Sequence, residues 1–346
     1  MKTILSVLGA RPQFIKAAPV SRALRQVENI REVCIHTGQH FDREMSDVFF
    51  EELNIPPPAY NLGINGGGHA EMTGRMMIEI EKIALSLKPD AILVYGDTNS
   101  TLAGGIVAAK LFVPLAHVEA GLRSFQPMPE EVNRILVDRV SRWLFCPTPA
   151  AVDNLATEGV RNGVHMIGDV MYDTTLMMTE RARARSTILS RLKLTLGSYS
   201  LATIHRAENT DTADALKAVV SYLTDRAKDI PVVLPIHPRT LAAAKRFDVD
   251  LSALRTIDPV GYLDMTALLE GCHEVLTDSG GLQKEAYFHR KPCVTLRNAT
   301  EWVETIEAGW NRLWTEVGFA TPRQDITAYG DGRAAHEIVK VLTAEI

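Results

Sequence analysis

Three carboxylates follow short apolar runs in the first half of the chain. Asp97 lies in Tyr95-Gly96-Asp97-Thr98-Asn99-Ser100, Glu119 in His117-Val118-Glu119-Ala120-Gly121-Leu122-Arg123, and Glu131 in Pro127-Met128-Pro129-Glu130-Glu131-Val132-Asn133-Arg134. A carboxylate delivered by an apolar strand is costly unless it is paired or used. Three of them on loops of one domain suit proton removal and return around one substrate. Each also has a plain structural reading. Asp97 sits where a helix N-cap belongs, although Thr98 or Ser100 can take that job. Glu119 can pair with Arg123. Glu131 falls in the first turn of a helix, where the dipole favours acidic groups.

Cationic and small residues complete the inventory. Gly9-Ala10-Arg11-Pro12-Gln13-Phe14-Ile15-Lys16 follows the first strand and opens a helix, so free amides, Arg11 and Lys16 suit a phosphate. His205 in His205-Arg206-Ala207-Glu208-Asn209 and His237 in Pro235-Ile236-His237-Pro238-Arg239 end successive strands, each with Arg nearby, which suggests anion binding. Thr277-Asp278-Ser279-Gly280-Gly281-Leu282-Gln283-Lys284-Glu285-Ala286 joins a strand to a helix. There the Ser279 hydroxyl, the amides at Gly280 and Gly281 and the helix dipole can cradle a diphosphate. Glu285 lies about one turn further on and can accept hydrogen bonds from ribose hydroxyls. Arg297 follows the next strand on the same side. His36 and His40 flank a turn but lack a third ligand, so no metal site is assigned.

The elements that must position these groups alternate. Thr3–Leu8, Val33–His36, Ala91–Tyr95 and Leu115–Val118 read as short strands, separated by helical periodicity over Phe14–Gln26, Met72–Leu87 and Ser100–Leu111. The pattern restarts with strands at Leu201–Ile204, Val232–Ile236, Val275–Thr277 and Cys293–Leu296, and helices such as Ala213–Arg226 and Gly281–His289. Short unalternated strands between helices mean a parallel sheet buried on both faces. The expected architecture is α/β: two doubly wound Rossmann-like domains facing across a cleft. The division is expected at residue 168, after the strand His165–Ile167, giving domains over 1–168 and 169–333. The segment Thr179–Leu196 reads as a solvated helix, and 334–346 as a helix returning to the first domain. The lone G-x-G-x-x-A match, Gly330 to Ala335, has no room for a following βαβ unit.

Composition excludes several classes. In 346 residues, 37 Lys and Arg against 42 Asp and Glu give a net charge of −5, so bulk attraction to nucleic acid or anionic lipid is not indicated. Cys34, Cys146, Cys272 and Cys293 form no C-x-x-C, which removes zinc-ribbon and redox-motif readings. There is no signal-peptide pattern, and no apolar stretch reaches about 18 residues. The expectation is a soluble cytoplasmic protein with no membrane partner.

The motifs G-A-R-P-Q-F-I-K, Y-G-D-T-N-S-T, H-V-E-A-G-L-R, P-E-E-V-N-R, H-R-A-E-N and T-D-S-G-G-L-Q-K-E-A, in that order, resemble the non-hydrolysing UDP-N-acetylglucosamine 2-epimerases over essentially the whole chain. The resemblance implies a fold of the glycosyltransferase-B type, a homodimer, and no redox cofactor or required metal. It implies interconversion of UDP-GlcNAc and UDP-ManNAc by anti elimination of UDP, a bound 2-acetamidoglucal and re-addition. By motif, Asp97, Glu119 and Glu131 correspond to acid–base carboxylates, and His205 to a catalytic or leaving-group-stabilising group. Arg11, Lys16, Arg123, Arg134, His237, Ser279, Gly280, Gly281, Glu285 and Arg297 correspond to substrate contacts. The chain departs from the common G-T-R-P-E at Ala10 and Gln13, and from T-E-R-P-E at Trp302 and Val303. It also departs from T-G-Q-H-R-E-M-L-D after His40, and from R-T-G-x-x-x-P-x-P at Ser124 and Phe125. These variants are similar to a subgroup acting on UDP-2,3-diacetamido-2,3-dideoxyglucuronate, whose extra carboxylate needs a cation such as Arg123 or Arg43. A glycosyltransferase on the same fold is the competing class and requires an acceptor site.

Overall fold

The computed structural model describes residues 1–39, 52–53 and 55–346. Arg43 and His40 lie outside the described residues. Two compact units are present: Met1–Leu176 with Thr327–Ile346, and Met177–Ile326.

The first unit is built on a parallel sheet of β1 (Lys2–Leu8), β2 (Ile30–His36), β3 (Tyr60–Asn61), β4 (Ala91–Tyr95), β5 (Leu115–Val118), β6 (Trp143–Cys146) and β7 (Val164–Met166). The strand order is β3-β2-β1-β4-β5-β6-β7. Every residue of β4, β5 and β6 is buried, as expected of strands covered by helices on both faces. Val7 and Val94 from the strands, Met76 and Ile80 from helix His69–Leu87, and Ala103 and Val107 from helix Asn99–Lys110 share one core cluster. The last helix, Ala334–Glu345, packs on helix Arg11–Leu24. Its first amides, Ala334 N and Ala335 N, donate to Asp173 at 3.2 and 2.9 Å.

The second unit repeats the plan with β8 (Ser200–Thr203), β9 (Val232–Pro235), β10 (Arg255–Ile257), β11 (Val275–Thr277), β12 (Cys293–Thr295) and β13 (Asn311–Leu313), in the order β10-β9-β8-β11-β12-β13. The segment expected as a solvated helix is instead the end of helix Val170–Arg185 and a short helix Ile188–Arg191. Ala182 and Ile188 belong to the core of this unit, with Leu201 and Val233. The Arg-rich composition hid that apolar face; Arg183 and Arg191 pair with Glu270 and Asp264 of helix Tyr262–Gly271.

In each sheet the strand order reverses once near the middle, between β1 and β4 in the first unit and between β8 and β11 in the second. Open α/β sheets bind ligands beyond the strand carboxyl ends at such a reversal. The residues following β1 and β4 are Gly9–Arg11 and Gly96–Asp97; those following β8 and β11 are Ile204–Arg206 and Asp278–Ser279. Among the described residues, no helix is long and apolar enough to cross a membrane.

Candidate active site

In the first unit the register sets the geometry. Tyr95 is paired with Val118, so Gly96 and Glu119 leave the sheet side by side. Glu119 adopts a left-handed φ of 70°, uncommon for a residue with a side chain. Its amide and that of Ala120 both donate to the Phe145 carbonyl, at 3.0 and 3.1 Å, which curls the chain at the strand end. The buried Glu119 carboxylate meets the Lys16 ammonium in a direct ion pair. Gly96, at φ 61°, lies against that pair: a Cβ here would sit 3.1 Å from Lys16 Nζ and 3.4 Å from Glu119 Oε2.

Asp97 is not the helix cap. Thr98 caps helix Asn99–Lys110, its hydroxyl accepting the Thr101 amide at 3.3 Å. The Asp97 carboxylate instead pairs with Arg134, which also reaches Glu131 at 3.2 Å. Asn133 Nδ2 donates to the Asp97 carbonyl at 2.8 Å. Glu131 accepts from the Ser124 amide (3.0 Å), the Ser124 hydroxyl (2.8 Å) and the Phe125 amide (3.2 Å). Burial raises the Glu131 pKa, but these donors and Arg134 outweigh it and hold the carboxyl below the usual range. Glu131 therefore stays ionised and ties the 124–125 loop to the Asp97–Arg134 pair.

Behind Glu119 stands a buried frame. His117 places Nδ1 2.8 Å from Asp138 Oδ1 and Nε2 2.8 Å from the Gly96 carbonyl. Asp138 Oδ2 accepts from the Gly121 amide (3.2 Å) and from Arg123 Nη1 (2.8 Å). Arg123 also donates Nε and Nη2 to Glu158, at 2.6 and 2.8 Å, and its side chain is 1% exposed. The expected pairing of Arg123 with Glu119 is not met: its donors face Asp138, Glu158 and the Leu122 carbonyl. The expected free amides before helix Arg11–Leu24 are also occupied. Gln13 Oε1 accepts from Gly9 and Ala10 at 2.8 and 3.0 Å, while its Nε2 donates to the Tyr95 carbonyl at 2.9 Å. A glutamate at position 13 has no N–H for that last bond. Arg11 is the exposed first residue of this helix.

In the second unit Asp278 is fully buried at the end of β11. Its Oδ2 accepts from the His205 and Arg206 amides (both 2.9 Å) and from Asn209 Nδ2 (3.1 Å). Its Oδ1 lies 2.9 Å from His205 Nδ1, an ion-pair contact. Burial raises the Asp278 pKa, yet these partners bring it below the ordinary aspartate value. The His205 side chain is 41% exposed, and its ring centroid is 6.0 Å from that of His237. His237 caps helix Pro238–Phe247, Nδ1 accepting the Arg239 amide at 3.2 Å.

Ser279 caps helix Gly280–Phe288, its hydroxyl accepting the Leu282 amide at 3.4 Å. A Cβ at Gly280 would meet Glu301 Oε1 at 2.3 Å, whereas no described atom lies within 4 Å of one at Gly281. Glu285 is buried rather than solvated, and Tyr262 Oη donates to it at 3.0 Å. Arg297 donates to Glu208 at 2.8 Å and to Glu301 at 2.9 Å. Lys284, also buried, places Nζ 3.9 Å from the Trp302 ring centre, a cation–π contact at one of the departures noted above. Sequence reasoning missed Asp138, His117 and Asp278 as site-building residues. Asp278 had a signal, since it sits between a strand and the Ser-Gly-Gly turn.

Carboxylates paired with cations at the strand ends of one unit, and an Asp–His pair beside a glycine-flanked helix start in the other, define an α/β enzyme equipped for acid–base work on an anionic ligand. Comparison with known proteins makes the class particular. The family profile described as UDP-N-acetylglucosamine 2-epimerase matches residues 22–343, and the chain belongs to that family. The chain is 49% identical to the UDP-2,3-diacetamido-2,3-dideoxy-D-glucuronate 2-epimerase of Pseudomonas aeruginosa, over 98% of this chain and 99% of that one. It is 41% identical to the UDP-N-acetylglucosamine 2-epimerase of Methanocaldococcus jannaschii, over 97% and 98% of the two chains. The crystal structure of a UDP-GlcNAc 2-epimerase of that organism, in complex with UDP-GlcNAc and UDP, superposes with a TM-score of 0.89, covering 99% of this chain and all of that one. The fold is the glycosyltransferase-B-like one of these enzymes, and the protein is an isomerase of the UDP-sugar 2-epimerase type.

Proposed function

We propose that the chain inverts C2 of a UDP-linked 2-acetamido hexose, interconverting UDP-GlcNAc and UDP-ManNAc, by elimination and re-addition of UDP. A carboxylate takes the C2 proton. The C1–O bond then breaks with its electron pair leaving on the UDP β-phosphate, and a C1=C2 double bond forms in 2-acetamidoglucal. A second carboxyl returns a proton to the opposite face of C2 as the UDP oxygen re-adds to C1. The observation that carries this reading is the cluster at the β4 and β5 ends, where Asp97–Arg134–Glu131 and Glu119–Lys16 put three carboxylates with two cations. Glu131 is held ionised in the resting enzyme by Ser124, Phe125 and Arg134. Lys16 and Arg11 bear on the sugar nucleotide from the first unit. Ser279, Gly280, Gly281 and Glu285 bind UDP in the second, and His205 and His237 stabilise the charge that develops on the departing diphosphate.

A second substrate, UDP-2,3-diacetamido-2,3-dideoxyglucuronate, is favoured by the 49% identical relative from Pseudomonas aeruginosa that is named for it. Arg123 is not the cation for its carboxylate, being held by Asp138 and Glu158. Turnover of each UDP-sugar in deuterated water tests both readings. Deuterium enters C2 without an acceptor if the enzyme epimerises, and Glu119→Gln or Asp97→Asn lowers that exchange at least about a hundredfold. Wild-type exchange in both variants refutes the assignment, and transfer that requires an acceptor refutes the reaction class.

A further inference from the structure

We infer that Asp278 is a positioning residue for His205, fixing the imidazole so that Nε2 is presented to the departing diphosphate and balancing the positive charge the ring carries there. The inference rests on the His205 role proposed above. The two residues follow β8 and β11, the strands flanking the point where the second sheet reverses. Asp278 has no exposure, whereas the His205 side chain is 41% exposed, so the pair has one buried and one accessible member.

The two carboxylate oxygens do different jobs. Oδ2 gathers three N–H groups, from His205, Arg206 and Asn209, and so shapes the loop backbone. Oδ1 faces His205 Nδ1 at 2.9 Å. An ionised carboxylate only accepts, so the facing Nδ1 is the edge that needs a proton, and in the charged ring Nε2–H, on the other edge, is the donor turned to an anion. A structural cap alone needs only Oδ2. The second contact turns the same buried charge toward an exposed ring.

Asp278→Asn separates the two jobs. The amide oxygen can still accept the three N–H groups, while the NH2 turned toward His205 needs a lone pair on Nδ1 and so opposes the charged ring. The expected result is a protein still folded at the assay temperature, C2 exchange reduced about tenfold or more in kcat, and a smaller change in KM. In a His205→Asn background the same substitution should cost nothing further, because the two act as one unit. An equal fractional loss in both backgrounds, or no loss in the single variant, overturns the inference. Wild-type exchange in His205→Asn overturns it too, and separately removes the His205 role on which it rests. Nitrogen NMR of the wild-type protein, assigned with His205→Asn, gives a check that survives misfolding of the Asp278 variant. Neutral His205 should carry its proton on Nδ1, and a neutral ring protonated on Nε2 alone refutes the inference.

Discussion

Gly96→Ala distinguishes strain in the backbone from damage to the chemistry. Gly96 sits at φ 61°, with its amide 2.9 Å from the Val118 carbonyl and its own carbonyl 2.8 Å from His117 Nε2. The backbone is held on both sides and cannot relax out of the left-handed region. Alanine there costs about 1–2 kcal/mol. For a unit of this size that is about 2–4 °C in melting temperature per kcal/mol. The new methyl lands 3.1 Å from Lys16 Nζ and 3.4 Å from Glu119 Oε2. An ordinary contact needs a few tenths of an ångström more, and the ammonium, at the end of a flexible chain, gives way first. Misplacement by about 1 Å in a reacting geometry costs on the order of a hundredfold, so a shift of about half that costs about tenfold. The expected outcome is a small fall in melting temperature with C2 exchange in deuterated water down about tenfold at a temperature where the variant is fully folded. Wild-type exchange in a folded Gly96→Ala protein refutes the reasoning, because the Lys16–Glu119 contact would then be dispensable.

Two further substitutions probe the binding half and the frame. Gly281→Ala meets no described atom, so the melting temperature should hold while UDP affinity by calorimetry falls, since a Cβ there blocks close backbone approach of a diphosphate; unchanged affinity removes Gly281 from the UDP site. Asp138→Asn leaves His117 and Arg123 without their shared buried charge and should cost about 3–5 kcal/mol in urea unfolding at pH 7. Burial raises the Asp138 pKa, but His117 and Arg123 together hold it below 3.8 in the folded protein, so its stabilisation is present above that value and lost as the pH falls through the folded pKa. The gap between wild type and variant should narrow as the pH falls below about 4; a gap independent of pH contradicts the charge argument.

Which loops carry the site was legible because the strands that deliver them are buried on both faces. Ala91–Tyr95 is an uninterrupted apolar run and Leu115–Val118 is interrupted by His117 alone, and their ends leave Asp97 and Glu119 where polar residues resume. The partners were not legible. Arg123, four residues from Glu119, was the obvious cation, yet Lys16 takes that place from 103 residues away, a pairing fixed by sheet order alone. Asp138 reads as the polar face of helix Pro129–Val140 but is buried, because that face turns toward His117 and Arg123. The change of unit falls within the continuous helix Val170–Arg185, so no turn residue marks it.

The left-handed backbone at Glu119 ties these observations to one another. A bulky residue in that region persists only where its surroundings over-determine it, at a cost of order 1–3 kcal/mol. The surroundings here can be named. Phe145 O holds the Glu119 and Ala120 amides, Asp138 holds the Gly121 amide, and His117 reaches from β5 to the Gly96 carbonyl. Each of these contacts fixes the chain on one side of Glu119 or on the neighbouring strand end, and none of them touches its carboxylate. The frame therefore sets where the carboxylate points without neutralising it, and that task falls to Lys16. It follows that loss of the frame and loss of the ion pair should differ in kind. Asp138→Asn should lower stability first and exchange through misorientation, whereas a change at Lys16 or Gly96 should lower exchange in a protein that remains folded.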